Sequence, residues 1–195
     1  MAIEFSHIAT FISLIFGFSL IHTITCVGTY IQNSHKIKFN LIWFIWSINT
    51  ILVLIAIWWR IFRRWSTIEI WYPYYFAYLV LLSFLLAIIF FIRFDKFDEL
   101  DKGSLEKQFF ESKKPFFIGF SVIYFFIALG QEIVLGTINL EVIKDKIPLL
   151  IQGFLMFWLA FINHKIAHLL IAILFLIGAL IGMFEVLLII DSNNN

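Results

Sequence analysis

The chain has 195 residues, of which 62% are hydrophobic, 19% aromatic and only 14% charged, and its mean hydropathy is +0.97. Soluble domains run at roughly 45–50% apolar and ~25% charged residues, so the composition excludes a soluble globular protein and makes the lipid bilayer the first partner. A net charge of +1, without basic patches interleaved with aromatics, argues against nucleic acid as a partner; the single cysteine, Cys26, excludes an intramolecular disulfide and thiol-pair redox chemistry.

A membrane-crossing helix needs ~20 apolar residues. The opening "MAIEFSHIATF" has no cationic leader region and no small-residue cleavage site, so the first apolar run, 5–31, is predicted to persist as a helix. Runs at 41–62 and 72–92 follow, the latter with Pro73 in a position suited to a first helical turn. A charged loop, 93–115, carries six acidic and six basic residues, and its "LEKQFF" predicts a short surface helix laying Leu105 and Phe109 on the membrane. The fourth run is 116–136. The fifth, 148–162, would rise only ~22 Å against a hydrocarbon core of ~30 Å. A tight "NHK" turn leads to the sixth, 166–190, and "DSNNN" reads as a disordered tail at 191–195. Lipid leaves no water for unpaired amides, and no run alternates as barrel strands do. The fold class is therefore an all-α polytopic transmembrane helix bundle of about six spans in a single domain.

With six spans, both termini share a face with the 63–71 and 137–147 connections. That face holds five of the 14 Lys and Arg residues and the opposite face nine, so the positive-inside rule places the termini on the non-cytoplasmic side of an inner (plasma) membrane. Trp58, Trp59, Trp65, Trp71 and nearby tyrosines read as an interfacial aromatic belt.

Two acids lie within predicted spans, Glu132 in "ALGQEIVLG" and Glu185 in "IGALIGMFEVLLII". With Arg60, Gln152 and His7 they form a polar layer near one face. Ionisable groups in spans face protein or water and are paired, so pairing of either acid with Arg60 is the simplest expectation, and an ion or proton pathway is the functional reading. The plainer reading is a glutamate that only holds helices together. Small residues sit beside both acids: Gly178 and Gly182 form a GxxxG face with Glu185, while Ala128 and Gly136 share a face with Glu132. These faces predict close helix packing and self-association as a homo-oligomer.

A second set is His22 with Cys26 and His164 with His168, each pair four residues apart. Such spacing places two ligand atoms on one helix face and would suit zinc or copper; haem b clamped between His22 and His168 is a related alternative. Plain polar packing of these histidines is the simpler account. No nucleophile elbow, Ser–His–Asp order, phosphate loop or dinucleotide fingerprint is present, so nothing argues for an enzyme.

The order of "FSHI", "LIHT", "WFIW", "IAIWW", "QFFESKKPFF" and "HKIAH" resembles a group of small, uncharacterised bacterial multi-pass membrane proteins. The resemblance spans most of the chain and implies a multi-pass fold but no activity. Three readings therefore stand at this point: an ion or proton pathway, a haem b electron carrier, and a membrane partner or effector of a stress or phage-defence module that engages another protein through residues 95–114.

Overall fold

The computed structural model describes residues 5–33, 38–65, 105–130, 132–133, 136 and 138–192, and the side chains at 5–9, 11–12, 60–65 and 182–192 are outside that description. The expected span at 72–92 and the first part of the charged loop also lie outside the described residues. The described residues form five α-helices: α1, Phe5–Gln32; α2, Leu41–Trp65; α3, Leu105–Phe125; α4, Leu140–Leu159; and α5, Lys165–Ser192. Ser13–Gln32, Leu41–Trp59 and Leu105–Gly130 are long and apolar enough to cross a membrane. The protein is an all-α, multi-pass membrane helix bundle.

Asn40 starts α2 by accepting the backbone N–H of Trp43 at 2.8 Å, which satisfies one of the amides left open at a helix start. Its own backbone N–H donates to the Tyr30 hydroxyl at 3.2 Å, and the Trp58 indole donates to Ser13 Oγ at 3.0 Å. These two bonds, near opposite ends of α2, hold α1 and α2 as an antiparallel hairpin. Trp58 thus holds two helices together instead of serving only as an interfacial anchor.

The structure differs from the sequence reading in the second half of the charged loop. Residues 105–115 are not loop: α3 begins at Leu105 and runs through Pro115. Leu105 and Phe109 are buried in the protein, not laid on a membrane surface, and with Phe116, Phe117 and Phe120 they line one side of the helix. That side meets Trp46 of α2, with ring centroids 4.9 Å from Phe117 and 6.3 Å from Phe116. The α-helical part ends at Phe125, and a π turn, Phe126–Gly130, follows. Gly136 then takes a φ of +64° in a turn, so it does not lie on a helix packing face.

The fifth expected run is also longer than its apolar core. Asn139 caps α4 by accepting the Val142 N–H at 2.8 Å, and the helix has 20 residues, with Pro148 inside it instead of at its start. At 1.5 Å per residue that is about 30 Å. Helices α3 and α4 pack as an antiparallel pair, with Phe125 against Phe154 at 4.9 Å. Gly153 permits the approach, since a Cβ there would meet Phe125 at 3.2 Å. Gly153→Val is expected to cost roughly 1–3 kcal/mol by overpacking, read as a lower unfolding midpoint in detergent. In contrast, a Cβ on Gly178 would meet nothing within 4 Å, so this glycine packs no helix of its own chain among the described residues.

Candidate functional site

Two charged sites terminate the α3–α4 hairpin. At one end Lys113, 3% exposed, sends its ammonium to the carbonyls at the end of α4: it donates to Leu159 O at 3.3 Å and to Ile162 O. A cation is favoured there because the last carbonyls of a helix lack amide partners and carry the negative end of its dipole. The Phe110 ring lies 5.8 Å from the ammonium. Around this point Lys165 pairs with Glu106, and Lys107 lies 3.8 Å from Glu111.

At the other end Glu132, 7% exposed, faces Lys146 of α4 at 3.6 Å. Lys146, which the sequence places in the 137–147 connection, is thus a counter-ion of Glu132, and the expected pairing with Arg60 falls outside the described residues. The side chains of Arg60, Glu185 and His7 are outside the described residues, and Gly182 is too. Gln152 is half-buried on α4, and Ala128 is buried in the π turn. From Lys113 to Phe125, where the α-helical part ends, α3 rises about 18 Å, and the π turn Phe126–Gly130 follows before Glu132. The run 115–131 between Lys113 and Glu132 holds no charge.

Between α2, α3 and α5 lies a buried polar layer that sequence reasoning missed. Asn49 Nδ2 donates to Ala172 O at 2.8 Å, tying α2 to α5. One turn before Ala172 stands His168, fully buried, its ring centroid 5.2 Å from Phe117 and 5.5 Å from Phe109. A carbonyl only accepts, so His168 Nε2, 2.8 Å from Ile162 O, carries the proton and donates it. Among the described residues, four side-chain atoms in this layer find no hydrogen-bond partner: Trp46 Nε1, Asn49 Oδ1, Thr50 Oγ1 and His168 Nδ1. The signal in the sequence was "WSINT", a polar cluster inside an apolar run.

This geometry rearranges the histidine set. His164 lies outside the helix and caps it, accepting the Ala167 N–H at 3.3 Å, so the pair does not share a helical face. His22 Nε2 is 3.9 Å from Cys26 Sγ, as helical spacing predicts. Among the described residues, no three His, Cys, Asp or Glu side chains come together to hold a metal ion. Haem does not fit at His168, because Nε2 is committed to Ile162 and Phe109, Phe110 and Phe117 pack on the ring.

No protein-family model matches the chain, and neither the curated proteins nor the solved structures contain a significant match.

Proposed function

We propose that this is a non-enzymatic, self-associating multi-pass membrane protein whose bundle interior provides a narrow pathway for protons or small cations. The observation that carries this reading is the buried layer of Trp46, Asn49, Thr50 and His168 in the same bundle as charged sites at Lys113 and at Glu132–Lys146. Polar groups within hydrocarbon are costly, so a protein that keeps several of them inside its own bundle commonly uses them to pass a polar species. The proposal includes Glu132, which pairs with Lys146, and takes Glu185, Arg60, Gln152 and His7 as its further pathway residues.

Purified protein in proteoliposomes is expected to raise proton or cation leak above that of empty vesicles, and Asn49→Leu to lower it. Vesicles no leakier than empty ones would sink the reading. A partner role through residues 95–114 has less support, since Leu105, Phe109 and Lys113 are buried in the chain's own core.

Self-association is supported by the outward setting of Gly178, whose neighbours Leu174, Ile177 and Ile181 are exposed at 60%, 50% and 54%. Gly178→Ile has room within the monomer, so it is expected to leave the fold intact while shifting cross-linked species in lipid toward monomer. An unchanged cross-linking ladder would place the contact elsewhere.

A further inference from the structure

On α2, Trp46 is three residues before Asn49 and four before Thr50, so the three share one helix face. On α5, His168 and Ala172 share a face in the same way. The Asn49–Ala172 bond brings the two faces together, and Phe117 touches both Trp46, at 4.9 Å, and His168, at 5.2 Å. All four polar residues are at most 2% exposed.

Thr50 differs from the other three buried Ser and Thr hydroxyls described on α1 and α2, which bond back to the carbonyl four residues earlier: Ser19 to Ile15 at 3.1 Å, Thr23 to Ser19 at 2.9 Å and Ser47 to Trp43 at 2.8 Å. Thr50 Oγ1 makes no such bond.

The chemistry of the four atoms selects what they would bind. Trp46 Nε1–H only donates, Asn49 Oδ1 and the unprotonated His168 Nδ1 only accept, and the Thr50 hydroxyl does both. A bare alkali cation meets the positive end of the indole N–H, and an anion meets two lone pairs. A small neutral molecule that donates and accepts satisfies every group, and water is the smallest such molecule.

We propose that Trp46, Asn49, Thr50 and His168 hold internal water, and that the pathway of the preceding section, on which this second part rests, therefore carries protons and not alkali cations. An excess proton carried on the layer's water passes to His168 Nδ1 and leaves neutral water behind, and the resulting imidazolium gives its Nε2 proton to bulk water at the 162–164 turn, where Asn163 and His164 are exposed. The imidazole is left neutral with its proton on Nδ1, one proton has moved from the layer to the turn, and return of the Nδ1 proton to the layer's water with uptake of another at Nε2, or rotation of the ring, restores the starting tautomer. Lys113, on the same Ile162 carbonyl, is the cation that faces His168 there.

The hydration part is tested by solid-state NMR on protein labelled with nitrogen-15 histidine in liposomes. Magnetisation transfer from water to the His168 ring is expected, assigned by its loss in His168→Gln and weakened in the near-isosteric Thr50→Val. A His168 ring that receives none overturns the water site. The selectivity part uses the same liposomes, with proton entry followed by an internal pH dye and rubidium uptake followed in parallel. Proton flux is expected to fall about a hundredfold in His168→Gln, the lower end of what one positioned proton-transfer group contributes, with rubidium uptake at the level of empty vesicles. Protein-dependent rubidium uptake would overturn proton selectivity and leave the pathway standing, whereas no flux of either kind would remove the pathway and selectivity together. The NMR result judges the water site in either case.

Discussion

Glu132→Gln is expected to destabilise the protein by about 3 kcal/mol, the lower end of what is lost when one partner of a buried ion pair is removed. The side chains of Lys146 and Glu132 are only 14% and 9% exposed. The substitution therefore leaves an ammonium near the bundle interior without its counter-charge. The lower end applies because α4 around Lys146 is open: Lys144, Asp145 and Ile147 are exposed, which gives the lysine a short route toward water. Adding Lys146→Met to Glu132→Gln removes the stranded charge and is expected to restore most of the loss. Denaturant titration in detergent micelles measures both, and a double variant no more stable than the single one would mean that the pair does not carry the stability of this end.

The second large effect is at Lys113. Lys113→Met keeps the apolar stem and removes the ammonium, so Leu159 O loses its side-chain donor while Ile162 O keeps His168. Two opposing terms decide the outcome. Burying an ammonium is costly, so deleting it returns some free energy, but charge-assisted hydrogen bonds contribute about 1.5–3 kcal/mol and an orphaned buried acceptor costs about 1–3. The loss of the bonds wins, and a net destabilisation of roughly 2 kcal/mol is expected. Its readout is local as well: the turn after α4 loosens, so trypsin cleavage after Lys165 in the folded protein is expected to become faster. Unchanged cleavage would show that the ammonium does not hold the turn.

The long apolar runs were legible because hydrocarbon imposes length and composition together: the expected 5–31, 41–62 and 166–190 are close to Phe5–Gln32, Leu41–Trp65 and Lys165–Ser192. The starts of α3 and α4 were not, for a shared reason. Charges and a proline inside each helix read as loop, although Pro115 and Pro148 each remove only one backbone donor. The signals were there at finer grain. Leu105, Phe109 and Lys113 repeat every four residues, and Asn139 followed by Glu141 is a helix start. Missing the second start hid the partner of Glu132, since Lys146 was not counted as helical. The polar layer was harder to foresee, because nothing within α2 says that Asn49 will face Ala172, which is 123 residues away.

The seating of Lys113 also sets an order for biogenesis. Its acceptor Ile162 lies 49 residues further along the chain, so when α3 leaves the ribosome the ammonium has nowhere in the bundle to go. Until the turn between α4 and α5 is made, this end of α3 is better kept at the membrane surface, where the lysine stays hydrated. Insertion of α3 to its final depth then waits for the C-terminal hairpin. A chain stopped before Ile162 would leave the Lys113 ammonium without that acceptor.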